Sequence, residues 1–152
     1  MSEQRMDISI AAPDGFRSVL AFDKVVSANL DHALFELVKL RASMINGCAF
    51  CVDMHTTAAL TAGEDVRRIT AVSAWRESTY FTPSERAALA LTDELTRLGE
   101  DGVSDETWAE LHEHFESDTV ANLVMGVAVI NVWNRIVMAT RLPPAPLEPR
   151  AR

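Results

Sequence analysis

The stretch Glu36-Leu-Val-Lys-Leu-Arg-Ala-Ser-Met-Ile-Asn46-Gly47-Cys48-Ala-Phe-Cys51-Val-Asp-Met-His55 decides the fold. Leu34, Leu37, Val38, Met44 and Ile45 recur at helical spacing and draw one apolar stripe along a helix over residues 30–45. Asn46-Gly47 then stops it, because these two residue types enter the left-handed conformation that ends a helix at little cost. A second helix is predicted over 48–62, closed by Gly63. Two helices split by a two-residue stop, in a chain where no segment alternates with a period of two, read as all-α.

The same punctuation repeats outward. Residues 16–28 have apolar positions at rough helical spacing behind Pro13-Asp14-Gly15, and 64–75 start with acidic residues that oppose the positive end of a helix dipole. Thr82-Pro83-Ser84-Glu85 has the form of a capping box with proline at the first helical position, opening a helix to about residue 98. Ser104 starts another that contains Trp108 and Leu111, and Ser117 starts a long, largely apolar one running to about residue 141. Pro143, Pro144 and Pro146 end regular structure. The expected organisation is a polar arm over 1–15, one helical domain of about seven helices over 16–142, and a Pro-rich tail over 143–152.

Composition bounds the function. A chain of 152 residues suffices for one core without a structural disulfide. Its 14 Lys+Arg against 22 Asp+Glu give a net charge of −8, which argues against nucleic acid or anionic lipid as a partner. The longest uninterrupted apolar run, 123–130, is far short of the roughly 20 residues that span a bilayer. Residues 1–13 have neither the basic start nor the apolar stretch of a secretory signal, so the expected compartment is the cytoplasm.

The chemistry concentrates on the only two cysteines, spaced as Cys-x-x-Cys at a predicted helix start. That placement suits redox work, since the helix N-terminus stabilises a thiolate and the spacing lets a second thiol close a disulfide. At 100° per residue Cys48, Cys51 and His55 lie within about 60° of one another, so the imidazole reaches the Cys51 sulfur. Histidine beside a thiol can take its proton, and a carboxylate on the second ring nitrogen fixes the tautomer. Glu36 offers that carboxylate, although it lies roughly 140° from the centre of the apolar stripe and needs cover from another helix or another subunit.

Other readings stand beside this one. Val52, Ala59 and Ala62 share the face of the two cysteines and His55, as they would if all three were core residues, and Cys48, Cys51, His55 and Glu36 also count as four zinc ligands. Arg41 falls in the apolar stripe and is expected to meet a carboxylate or a helix C-terminus. His32 could pair with Glu36 one turn away, but reads first as a solvated histidine; His112 and His114 sit among glutamates on a solvent face. Asn131, Trp133, Asn134 and Arg135 interrupt the last helix and are candidates for hydrogen-bonded or pocket-lining roles.

The quoted stretch resembles the core of the alkylhydroperoxidase AhpD-like family, within the carboxymuconolactone decarboxylase-like superfamily. That family's pattern is Glu, eleven residues, Cys, two residues, Cys, three residues, His, and Glu36, Cys48, Cys51 and His55 match every interval. The segments Thr82-Pro-Ser-Glu-Arg-Ala-Ala-Leu-Ala-Leu and Ile130-Asn-Val-Trp-Asn-Arg135 extend the likeness over 16–142. The resemblance implies a homotrimer or homohexamer with peroxidase activity toward a small hydroperoxide; the alternatives are a noncatalytic or redox-sensing helical oligomer and a carboxymuconolactone decarboxylase-like enzyme. It assigns Cys51 as the nucleophile, Cys48 as the resolving thiol, His55 as base and Glu36 as the group that orients it. No bound cofactor is expected, only an external dithiol reductant of the lipoyl or thioredoxin-like kind. Phe50 departs from the pattern: the best-studied peroxidases carry a histidine there, and a phenyl ring relays no proton.

Overall fold

Each helix of the chain starts or stops where a capping side chain or a left-handed residue dictates. The computed structural model describes residues 3–147, and among them it contains eight α-helices, one 3₁₀ turn and no strand. The end of the predicted tail, 148–152, lies outside the described residues, as do 1 and 2.

The short α1 (Ile8–Ala11) is capped by the Asp7 carboxylate, which accepts from Ser9 N at 2.9 Å. α2 (Pro13–Ala28) starts three residues ahead of the expected position, because Pro13 supplies the helical φ of a first position and lacks only an amide that would go unbonded there. α3 (His32–Asn46) is capped by Asp31 and ends at Gly47, whose φ of 71° turns the chain. α4 (Ala49–Thr61) follows at once, with Cys48 as its N-cap residue.

One predicted helix is broken. Residues 64–75 form α5 (Val66–Ala71) and then a 3₁₀ turn, Val72–Ala74, because the Arg41 guanidinium donates to the Ser73 carbonyl at 3.0 Å and Trp75 is anchored on Asp93. α6 (Pro83–Thr96) has the full capping box, Thr82 N donating to Glu85 Oε2 at 2.8 Å and Glu85 N to Thr82 Oγ1 at 3.3 Å. α7 (Asp105–His114) and α8 (Ser117–Thr140) complete the chain, and Arg141 closes α8 in the left-handed conformation, φ 57°.

α3 is the axis of the fold, packed against α4, α6 and α8. The single apolar stripe expected for it is therefore corrected: α3 is buried on nearly all sides, from Leu34 through Ser43 with only Lys39 more than marginally exposed. Phe35 and Val38 join one apolar cluster with Leu91 of α6 and Leu123 and Val127 of α8. Leu37 and Leu40 join another with Ile69, Trp75, Phe81 and Leu89. The close approach of α3 to α8 needs Gly126, since a methyl group there would stand 2.7 Å from the Phe35 ring.

α8 is longer than the uninterrupted run 123–130, and by length and composition alone it could cross a membrane. Here Leu123, Val127, Ile130, Asn134 and Val137 are instead buried within the fold. Met125 and Val132, on one face of the helix, and Met138, on another, are exposed.

Candidate active site

The site begins at the stop between α3 and α4. Gly47 turns the chain so that Cys48 N bonds back to the Ser43 carbonyl at 3.0 Å, leaving Cys48 at the mouth of α4 and Cys51 in its first turn. Cys48 Sγ accepts from Cys51 N at 3.4 Å. The two cysteines are joined as a disulfide with their Cα atoms 5.4 Å apart, and both are about 1% exposed. The amides and dipole of the 13-residue α4 point their positive end at this pair, which favours negative charge on sulfur.

His55 lies one turn further along α4, 5% exposed, with Nδ1 2.9 Å from Glu36 Oε2. Glu36 is covered by α4 of its own chain, so no second subunit is needed to shield it. Its other oxygen, Oε1, sits 2.6 Å from Lys39 Nζ and 3.9 Å from His32 Nε2. Burial works to raise the Glu36 pKa, but the hydrogen bonds from His55 and Lys39 and the Lys39 charge outweigh it and hold the carboxyl down to about 2. An ionised carboxylate can only accept, so His55 Nδ1 carries the hydrogen, and in a neutral ring Nε2 would present a lone pair. That Nε2 is the one buried side-chain nitrogen or oxygen among the described residues without a hydrogen-bond partner.

A cavity of about 380 Å³ opens beside these groups, and both Cys51 and His55 are in its wall while Cys48 is not. The rest of the wall is mostly apolar, with Phe16, Phe50, Met54, Ile130, Trp133 and Ile136 prominent. The N-terminal arm closes one side: Met6 and Ile8 line the cavity, and Arg5 N donates to the Thr140 carbonyl at 2.8 Å. Trp133 Nε1 donates to Asp23 Oδ2 at 3.2 Å at the α2 wall.

The structure thus brings Glu36, Cys48, Cys51 and His55 together. Arg41 is elsewhere, in an ion pair with Asp93 (Nε to Oδ1, 2.5 Å), as expected of a structural partner. His112 and His114 are exposed on α7, and the His32 side chain is 70% exposed. Asn131 and Asn134 both accept from Asn46 Nδ2, at 2.9 and 2.7 Å, and Asn134 donates to Ser43 Oγ, so these amides tie α8 to the end of α3 just ahead of the cysteines. Arg135 donates to Asn131 from an exposed position. Two features were missed from sequence. Lys39 belongs to the site, and its spacing of three from Glu36 was the available signal. The arm forms part of the cavity wall, for which no local signal exists.

Comparison with known proteins gives a consistent likeness. The sequence model of the carboxymuconolactone decarboxylase family matches residues 13–94. The uncharacterized protein YdfG of Bacillus subtilis is 36% identical over 137 residues, 90% of this chain and 93% of that protein. A crystal structure of an Agrobacterium tumefaciens protein of unknown function, suggested to be the antioxidant defence protein AhpD, superposes with a TM-score of 0.91 at 38% identity, covering 96% of this chain and 100% of that one. The debrominase Bmp8 shares the fold at a TM-score of 0.77 and 18% identity, over 86% of this chain and 71% of its own.

Proposed function

Because this chain belongs to the carboxymuconolactone decarboxylase family, as one of its AhpD-like helical members, we propose that it is a thiol-dependent peroxidase cycling through the Cys51–Cys48 disulfide. The observation that carries this reading is the bare, buried Nε2 of His55 in the wall of the same cavity as Cys51. His55 Nε2 accepts the Cys51 proton while Glu36 holds Nδ1. The thiolate attacks the terminal hydroperoxide oxygen, the O–O bond breaks, and the departing alkoxide takes the proton back from His55 to leave as an alcohol. Cys51 is then a sulfenic acid, which the Cys48 thiol displaces to form the disulfide and water. Only Cys51 faces the cavity, which supports its role as attacker and that of Cys48 as resolver.

A dithiol reductant, lipoyl or thioredoxin-like, reopens the disulfide, and the cycle needs no bound cofactor. The apolar wall with Phe50 in it suits a hydroperoxide with a hydrocarbon body. The exposed Met125 and Val132, side by side on one face of α8, support assembly into a homotrimer or homohexamer, and the proposed compartment is the cytoplasm.

The test is stoichiometric and then catalytic. Reduced protein given one equivalent of cumene hydroperoxide should lose two titratable thiols, turn over repeatedly when a dithiol is supplied, and lose that turnover in Cys51→Ser. Oxidation of the pair without turnover would mean a redox-sensing oligomer instead, and turnover surviving Cys51→Ser would remove the assignment of the nucleophile.

A further inference from the structure

The Glu36 carboxylate is shared. One oxygen takes His55 Nδ1 at 2.9 Å and the other takes Lys39 Nζ at 2.6 Å, with the Lys39 side chain 12% exposed and its ammonium 4.5 Å above the Phe35 ring. Lys39 also lines the cavity that holds Cys51 and His55. Placing an ammonium so deep is costly, and a methionine of similar length would cover Phe35 without that cost. The charge itself therefore needs a reason.

We propose that Lys39 is a positioning residue of this site: by holding Glu36 Oε1 and sharing its negative charge, it limits the pull of the carboxylate on a proton at His55, so that the imidazole stays neutral with Nε2 free to accept. The inference rests on the reading of His55 as the base. An isolated carboxylate at hydrogen-bond distance stabilises imidazolium, which could not take a proton from a thiol, whereas a cation on the carboxylate's far oxygen offsets that stabilisation. The other charged groups near His55 act from further out. On α3, His32 stands 3.9 Å from Glu36 Oε1 at the solvent side. Glu64 borders the outer hollow that His32 and Glu36 share, and Asp7 and Asp23 face the cavity from the arm and from α2. α8 lines the cavity without a charged residue, and the cysteines of α4 do not titrate while joined.

The experiment is an NMR titration of the His55 ring in the oxidised protein, where no thiol titrates, with the signal assigned by His55→Gln. In Lys39→Met the midpoint should rise by about one pH unit, a tenfold gain in proton affinity, while Lys39→Arg stays within a few tenths of wild type. Lys39→Gln carries the same expectation should the methionine variant fail to fold. A midpoint unmoved in both neutral variants, even with lowered thermal stability, would reduce Lys39 to a tether and overturn the proposal. The readout uses no peroxide, so absence of peroxide turnover would sink the peroxidase reading and leave this one standing, and the converse also holds.

Discussion

Two buried charged clusters flank α3, one built on Glu36 and one on Arg41, about 140° apart around the helix. In the Arg41 cluster each partner is used: Asp93 Oδ1 takes Arg41 Nε, Oδ2 takes Trp75 Nε1 and Arg76, and Arg41 Nη1 goes to the Ser73 carbonyl. No cavity reaches it among those described. The Glu36 cluster is equally well bonded on one side and incomplete on the other, where buried His55 Nε2 meets no partner and His55 lines a cavity. Closed networks hold a fold, whereas a buried polar atom left open beside a cavity is a place for a reacting group.

The sharpest way to break this contrast is to remove one member of each cluster. His55→Ala should lower the rate of Cys51 reaction with peroxide by about 10²- to 10⁴-fold in stopped-flow traces, the usual worth of a positioned base, with a small change in melting temperature. Arg41→Met should do the opposite. Leaving Asp93 buried without its main cation should cost about 3–5 kcal/mol in urea unfolding, while thiol reactivity of the folded fraction is unchanged. If the two variants lose the same property, the division between a structural and a reactive cluster is wrong.

Acid distinguishes the clusters further. The Glu36 pKa is depressed from its ordinary 4.5 to about 2, so its ion pairs stabilise the fold fully above about 4.5 and lose that contribution as pH falls toward 2. A fall from 4.5 to about 2 sets an upper limit of roughly 3–4 kcal/mol. Wild type and Glu36→Gln should therefore converge in stability between pH 4.5 and pH 2, and parallel curves would show that the carboxylate's charge is not what holds this flank.

Smaller effects sharpen the packing side. Gly126→Ala should destabilise by about 1–2 kcal/mol, because the added methyl would force the buried Phe35 ring to shift, despite alanine's better helix propensity. Arg141→Gly should stabilise by about 0.5–1 kcal/mol, measured by thermal melts, since glycine takes the left-handed cap of α8 without strain.

Most of this was legible locally. Helix ends could be read because capping is a contact between residues three apart, as at Thr82 and Glu85, and the cysteine–histidine face could be read because α4 is regular over Cys48 to His55. Glu36 could be named but not placed: a helix wheel shows which face a residue occupies, and only the packing of α4 shows that the face is covered. The break after Ala71 and the need for glycine at 126 depend on Arg41 and Phe35, distant in sequence, and no window of neighbours contains them.

The bond from Arg5 to Thr140 brings the N-terminal arm to the end of α8 at the rim of the cavity, where Leu142 also lies. The same proximity makes the molecule a natural candidate for circular permutation, with a short linker joining residue 142 to residue 5 and new ends cut in the exposed loop around Gly99–Gly102. A permuted chain would keep the rim tethered by that linker with no free end there, and would separate what the arm does as a wall from what it does as a terminus.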